Sequence, residues 1–108
     1  MAFTEGFSSG TTSGTSAVTM VSPPGSGSRI VKTVTIKNTD TANATVIVQY
    51  DTGSNVREMF EVLLNVGDML IIDEPIVVIQ GSIGLQIKLG GAVTTNQLDY
   101  TAHYGDSN

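Results

Sequence analysis

Few residues in this chain are suited to chemistry: one histidine, His103, and carboxylates of which Asp51, Asp68, Asp73 and Glu74 fall at turn-like positions. An imidazole acts as a general base when a second group orients it, and as a metal ligand when thiolates or further imidazoles complete the shell. The chain holds no cysteine and no second histidine, so His103, next to Tyr104, is expected as an exposed strand residue. Asp73 and Glu74 adjoin, but calcium takes several oxygens from one short loop. Asp68, Asp73 and Glu74 lack that spacing, and solvated strand ends are the expectation. No Gly-rich phosphate loop leads into a helix, and no Ser/His/Asp spacing is present. No catalytic residue, metal site or cofactor is assigned.

Asp51-Thr52-Gly53, followed by Ser54, needs separate treatment, because aspartic proteases carry their catalytic carboxylate in this triplet. Two carboxylates sharing a proton activate a water, so one copy per chain requires a two-fold axis through the site. The surroundings depart from that pattern. Gln49-Tyr50 stands where an apolar pair should precede the Asp, and Gly81 and Gly84 lie in strand-like sequence, not at an apolar-apolar-Gly leading into a helix. Asp-Thr-Gly is also an ordinary hairpin turn, with Asp capping its own turn and Gly supplying positive φ. The turn is the expectation. A dimeric protease using Asp51 is the less favoured alternative, and it predicts acid-dependent cleavage abolished by Asp51→Asn.

The elements that must position these residues follow from composition. At 108 residues there is room for one domain and one core. Val, Ile and Thr are abundant and Trp and Cys absent, which favours strands and leaves stability to packing and hydrogen bonds alone. The net charge is -5, and the five cations, Arg29, Lys32, Lys37, Arg57 and Lys88, are scattered. Phosphate binding needs clustered Lys and Arg, so no nucleic-acid partner is expected. No apolar run reaches the length of a membrane span, and the N-terminal residues lack a basic flank and apolar stretch. The expectation is a chain made in the cytoplasm and used in a soluble state. Asn43-Ala44-Thr45 matches the glycosylation triplet, but it is read as a polar turn before a strand.

Along the chain, residues 1–16 are rich in Gly, Ser and Thr, with Phe3 and Phe7 the large apolar groups. Such a segment offers too little apolar surface to order itself. It is expected to be an extended arm whose phenylalanines dock on a neighbouring subunit, in preference to an arm folded on its own domain, with the sandwich occupying 17–108. A first strand is read over 17–21, then a breaker cluster, Ser22-Pro23-Pro24-Gly25-Ser26-Gly27-Ser28. In 30–37, Val34 and Ile36 share one face while Thr33, Thr35 and Lys37 share the other. Ala44, Val46, Val48 and Tyr50 alternate with Thr45, Ile47 and Gln49. Val56, Phe60, Val62 and Leu64 continue the inward parity, with Glu58 a charged intruder. Val56, Met59, Phe60 and Leu63 also fit a short amphipathic helix, but strand is preferred among strand neighbours. Apolar runs at 69–73 and 76–79 flank Glu74-Pro75. Ile83, Leu85, Ile87 and Leu89 give the cleanest alternation, and Leu98, Tyr100, Ala102 and Tyr104 the last. Seven to eight short strands linked by turns predict an all-β fold, a single antiparallel β-sandwich, jelly-roll-like or Ig-like, with an N-terminal arm.

The run Lys32-Thr33-Val34-Thr35-Ile36-Lys37-Asn38-Thr39-Asp40-Thr41, the strand ending in Tyr50-Asp51, and Leu63-Leu64-Asn65-Val66-Gly67-Asp68-Met69-Leu70-Ile71-Ile72-Asp73 resemble the core of small β-sandwich virion proteins of tailed bacteriophages. The resemblance covers 29 to about 104. Where such proteins have a Gly-rich turn with an acidic pair, this chain has Asp51-Thr52-Gly53-Ser54-Asn55, and its arm is longer than the core needs. The resemblance implies a non-enzymatic particle component located in the virion. The lead form is a capsid decoration, or cement, protein binding the major capsid protein or other virion subunits. A neck, tail or fibre-associated binding module is the alternative. It also implies a homo-oligomer, with a trimer favoured. The outward parity carries Val31, Ile47, Met59 and Leu63, too many apolar groups to leave in water. With Phe3 and Phe7, they are the expected subunit contacts.

Overall fold

The computed structural model describes residues 3–107, with no side-chain description for Phe3 or Ser107. The Phe3 side chain expected to dock on a neighbour therefore lies outside the described part. The structure is all-β, as the alternation predicts. Its strands are β1 (Phe3–Thr11), β2 (Val18–Val21), β3 (Ser28–Lys37), β4 (Ala44–Asp51), β5 (Val56–Leu64), β6 (Met69–Ile72), β7 (Ile76–Ile79), β8 (Gly84–Leu89) and β9 (Asp99–Ser107). They form two antiparallel sheets packed as a sandwich. One has the order β1-β9-β3-β6, with β7 also on β3, and the other the order β2-β8-β4-β5. The pairing is nested. β4 pairs with β5, β3 with β6 and β7, β2 with β8, and β1 with β9. This is one long hairpin rolled so that successive pairs fall in alternate sheets, which is a jelly roll.

Val34, Ile36, Val46, Val48, Leu85 and Ile87 meet between the sheets and are fully covered. Sequence alternation places them there without correction. Two β-bulges account for the places where it misleads. Val31 pairs with Tyr104 and Thr33 with His103, so Lys32 is an extra residue in β3. That insertion reverses the parity and turns Val31 inward, where it is 1% exposed. The expectation of Val31 as an outward contact is thereby overturned. In β5, Phe60 pairs with Val48 and Glu58 with Gln49, leaving Met59 as the extra residue. Phe60, Val62 and Leu64 keep the inward parity. Glu58 moves to the outer face, where its carboxylate lies 3.6 Å from Lys88 Nζ, and Val56 faces outward as well. The charged intruder is no intruder, and Val56 is not a core residue.

Ile47 does lie on the outer face of its sheet, but on a central strand with Glu61 opposite on β5 and Lys88 opposite on β8. Only 7% of it is exposed. Long flanking side chains shield an apolar neighbour with their methylene stems, so Ile47 is covered within the chain and does not present the exposed apolar surface expected of it.

The larger correction concerns the arm. β1 lies along β9 from Phe3 opposite Ser107 to Thr11 opposite Asp99, as an edge strand of its own domain. Its inward parity carries Gly6, Ser8 and Gly10 opposite Tyr104, Ala102 and Tyr100, and the rings of Tyr104 and Tyr100 lie over the two glycines. A Cβ on Gly6 would sit 2.8 Å from Tyr104 Cζ, and one on Gly10 2.8 Å from Tyr100 Oη. The glycines are the floor for two aromatic rings supplied by β9, not a spacer. Beyond β1, the Thr12 amide donates to the Leu98 carbonyl at 2.9 Å, and the Leu98 amide donates to Thr12 Oγ1 at 3.0 Å. The Gly14 amide donates to Gln97 Oε1 at 2.9 Å.

Two polar clamps fix the ends of the sandwich. Asp40 accepts backbone N–H groups from Thr94 (2.8 Å), Thr95 (2.7 Å), Asn96 (3.1 Å) and Thr41 (2.8 Å), tying the β8–β9 loop to the β3–β4 turn. These donors, Thr94 first, pull its carboxyl down to about 2. At the other end Arg29 donates from Nε to Asp106 Oδ1 at 2.6 Å and from Nη2 to Oδ2 at 2.8 Å. Its guanidinium carbon lies 4.2 Å from the centre of the Tyr104 ring. The bidentate bond holds Asp106 below the usual carboxylate range.

Candidate interaction surfaces

The residues first weighed for chemistry do not converge on one site. Asp51, Thr52 and Gly53 form the β4–β5 turn, in which Asp51 Oδ1 accepts the Gly53 amide at 2.9 Å and the Thr52 amide donates to Asn55 O at 2.9 Å. Gly53 takes φ +95° there, the conformation that makes glycine the residue of choice. A pocket of about 250 Å3, lined by residues 43–45 and 89–93, contains no titratable side chain. Among the described residues no cluster of three or more His, Asp or Glu is placed to hold a metal ion, and no helix is long and apolar enough to cross a membrane.

His103 lies on the outer face of the five-stranded sheet, opposite Phe7. Their rings stack with centroids 4.7 Å apart. Glu5 accepts a 2.7 Å bond from Lys32 Nζ and lies 3.9 Å from His103 Nε2. That bond from Lys32 holds the Glu5 carboxyl below its ordinary value. Phe7 remains 72% exposed, so one of its faces is presented outward from a polar surface of Ser9, Thr33 and Thr101.

The main apolar surface lies on the opposite flank. β1 and β2 are the sheet edges on one side, and β5 and the β6/β7 pair are the edges on the other. Apart from Phe7, every large apolar side chain found exposed belongs to the second flank or its loops, from Val56 to Ile83. Leu63 (61%) and Met59 project from β5, and Ile71 (60%), Met69, Val77 and Ile79 from β6 and β7. Ile71 lies opposite Thr35 and Val77 opposite Ile30, which puts them on the outer face of their sheet. The flank is also open inward. Phe60, Val62 and Leu70 pack against the core yet are only half-buried. The exposed groups thus flank this edge from the outer faces of both sheets, with the half-buried Phe60, Val62 and Leu70 between them, more than scattered surface leucines provide.

Of the contacts expected from sequence, Met59, Leu63 and Phe7 are exposed as foreseen, with Phe7 on the far side from the other two. Val31 and Ile47 are covered. The stripe of Met69, Ile71, Val77 and Ile79 escaped the sequence reading. Its signal was there: β6 and β7 are apolar at both parities, and a strand with one covered face must show the other parity outside.

No protein-family model matches the chain, and no curated protein is significantly similar to it. Among solved structures it is similar to a chain described as "Cyanophage Pam1 capsid asymmetric unit", with 18% sequence identity and a TM-score of 0.52. The match covers 97% of this chain and 85% of that one. At that identity the likeness shows a shared fold, extending over nearly the whole of this jelly roll.

Proposed function

We propose that this protein is a non-enzymatic structural subunit of a bacteriophage particle, acting as a capsid decoration protein that fastens onto neighbouring capsid subunits. The observation that carries the reading is the segregation of exposed apolar side chains onto the β5–β6/β7 flank. A freely soluble monomer has no use for such a surface, whereas a subunit in an assembly buries it. The fold shared with a capsid chain supports the same reading, as does an acidic surface with scattered cations that does not attract nucleic acid. A trimer is part of this proposal.

The test is to purify particles of the phage that encodes the chain, strip the protein under mild denaturant and add it back. The chain should co-sediment with intact particles and rebind stripped ones at saturable stoichiometry. Its absence from purified particles would sink the reading. Sedimentation of the isolated protein should show a trimer, and a monomer at high concentration would remove that part of the proposal.

A further inference from the structure

We propose that the open flank is a groove for an extended segment of a neighbouring particle subunit, apolar at alternate positions and cationic between them, which adds as a strand to the free edge of β5. The proposal rests on the reading of the chain as a particle subunit and names the chemistry of its partner.

Of the two open edges on this flank, only one is suited to strand addition. Along β3, β6 and β7 are separated by Asp73, Glu74 and Pro75, so the edge they present is short, charged and interrupted by a residue without an N–H. These are the devices that keep a sheet edge from recruiting a stranger. β5 is longer and unbroken by proline, and its one bulge, at Met59, leaves the stretch from Phe60 to Leu64 in regular register. It runs nine residues without proline or glycine and pairs only with β4 among the described residues. Its outer side keeps main-chain donors and acceptors free for an incoming strand.

Side chains set the alternation. A strand laid beside β5 would place every second residue over Phe60, Val62 and Leu70, the half-buried groups that leave the core open here. Those positions must be apolar. The intervening residues would lie beside Glu61 and Leu63, at a rim where the segment from Val56 to Ile83 holds Glu58, Glu61, Asp68, Asp73 and Glu74 against Arg57 alone. Of these carboxylates, Glu58 is already engaged by Lys88. Lysine or arginine therefore suits the outward positions.

The same charges argue against a second copy. A two-fold contact would press this acidic rim against itself. Of the edges on the other side, β2 is only four residues long and carries no cation, and β1 offers Gly6, Ser8 and Gly10 at its inward positions and no cation, so neither would both close the core and answer the carboxylates.

A labelled nine-residue peptide alternating valine and lysine, titrated by fluorescence anisotropy against the full chain, tests this directly. It should bind at least tenfold more tightly than a peptide alternating valine and glutamate, and hydrogen exchange should slow in the β5 amides but not in β1. Glu61→Lys with Glu74→Lys should weaken binding at least fivefold, and so should Leu63→Ser, at a position exposed enough not to disturb folding. Phe7→Ser, on the other flank, should leave it unchanged. Equal binding of the two peptides, or binding without protection of β5, would overturn the proposal. An oligomer that dissociates on Leu63→Ser would also overturn it, making a second copy the occupant. If the chain is absent from purified particles while the peptide results hold, the particle reading fails and the groove stands, so the two failures are distinguishable.

Discussion

Replacing Gly10 with valine tests whether β1 belongs to the domain. The new Cβ would fall 2.8 Å from Tyr100 Oη and 3.1 Å from its Cζ, and two further methyls would press on the same ring. Tyr100 is only 6% exposed, so it has little space to retreat without leaving the core. Overpacking of this kind costs about 1–3 kcal/mol. Against it stands a gain of roughly 0.5–1 kcal/mol from removing a glycine and placing a β-branched residue in a strand. The net loss is about 1–2 kcal/mol, or a fall in Tm of roughly 5–10 °C for a domain of this size. Ser9→Val, one residue away and outward-facing, brings the propensity gain without the clash and should hold or raise Tm. Thermal unfolding followed by circular dichroism compares the two. If Gly10→Val melts at or above the Ser9→Val variant, β1 does not lie on Tyr100 and the edge-strand assignment is wrong.

Two further outcomes follow from the core and the clamps. Ile87→Ala, at a fully covered position between Val18 and Val48, should lose about 2–5 kcal/mol in urea denaturation, whereas Lys88→Ala should change stability by less than about 0.5 kcal/mol; comparable losses would refute the inward parity of β8. Acid should destabilise the fold. Asp40 and Asp106 both have folded-state values below their ordinary 3.8, so their contribution is complete above the unfolded value and lost as pH falls through the folded one. For Asp40 that window runs from about 4 down to about 2, and Asp40→Asn should flatten the decline of Tm across it. An unchanged slope would mean that its four amide bonds do not discriminate the ionised form.

Within β8 the alternation assigns Leu85, Ile87 and Leu89 to the core, but Ile83, read in the same inward series, falls before the strand and is 48% exposed. Alternation also fails at single-residue insertions, because nothing in the string Val31-Lys32-Thr33 or Glu58-Met59-Phe60 marks a bulge. The shift exists only in the pairing with β9 or β4. β1 is hidden for a different reason. Its inward positions carry two glycines and a serine, and the apolar surface over the glycines comes from Tyr100 and Tyr104, far along the chain. A period-two pattern cannot be seen when half of it is carried by another strand. Ile47 shows a third limit: exposure depends on whether a strand is central or at an edge, which hydropathy does not encode. The flank was legible in part through Met59 and Leu63, and its extension into β6 and β7 became visible only once those strands were placed at an edge.

The nested order of pairs also bears on how the chain reaches this state. β4 and β5 are joined by a four-residue turn, whereas β1 and β9 bring residue 3 opposite residue 107. Closing that outermost loop from the unfolded chain is entropically the most demanding step, since the penalty grows with loop length by about 0.6 kcal/mol per doubling. Formed in sequence, each inner pair draws the next two strands together, so the ends meet across a gap already shortened by everything folded between them. On that route a topology dominated by distant partners would be assembled through a succession of near ones, moving outward from the central turn, with the glycine strand and its two tyrosines joining last.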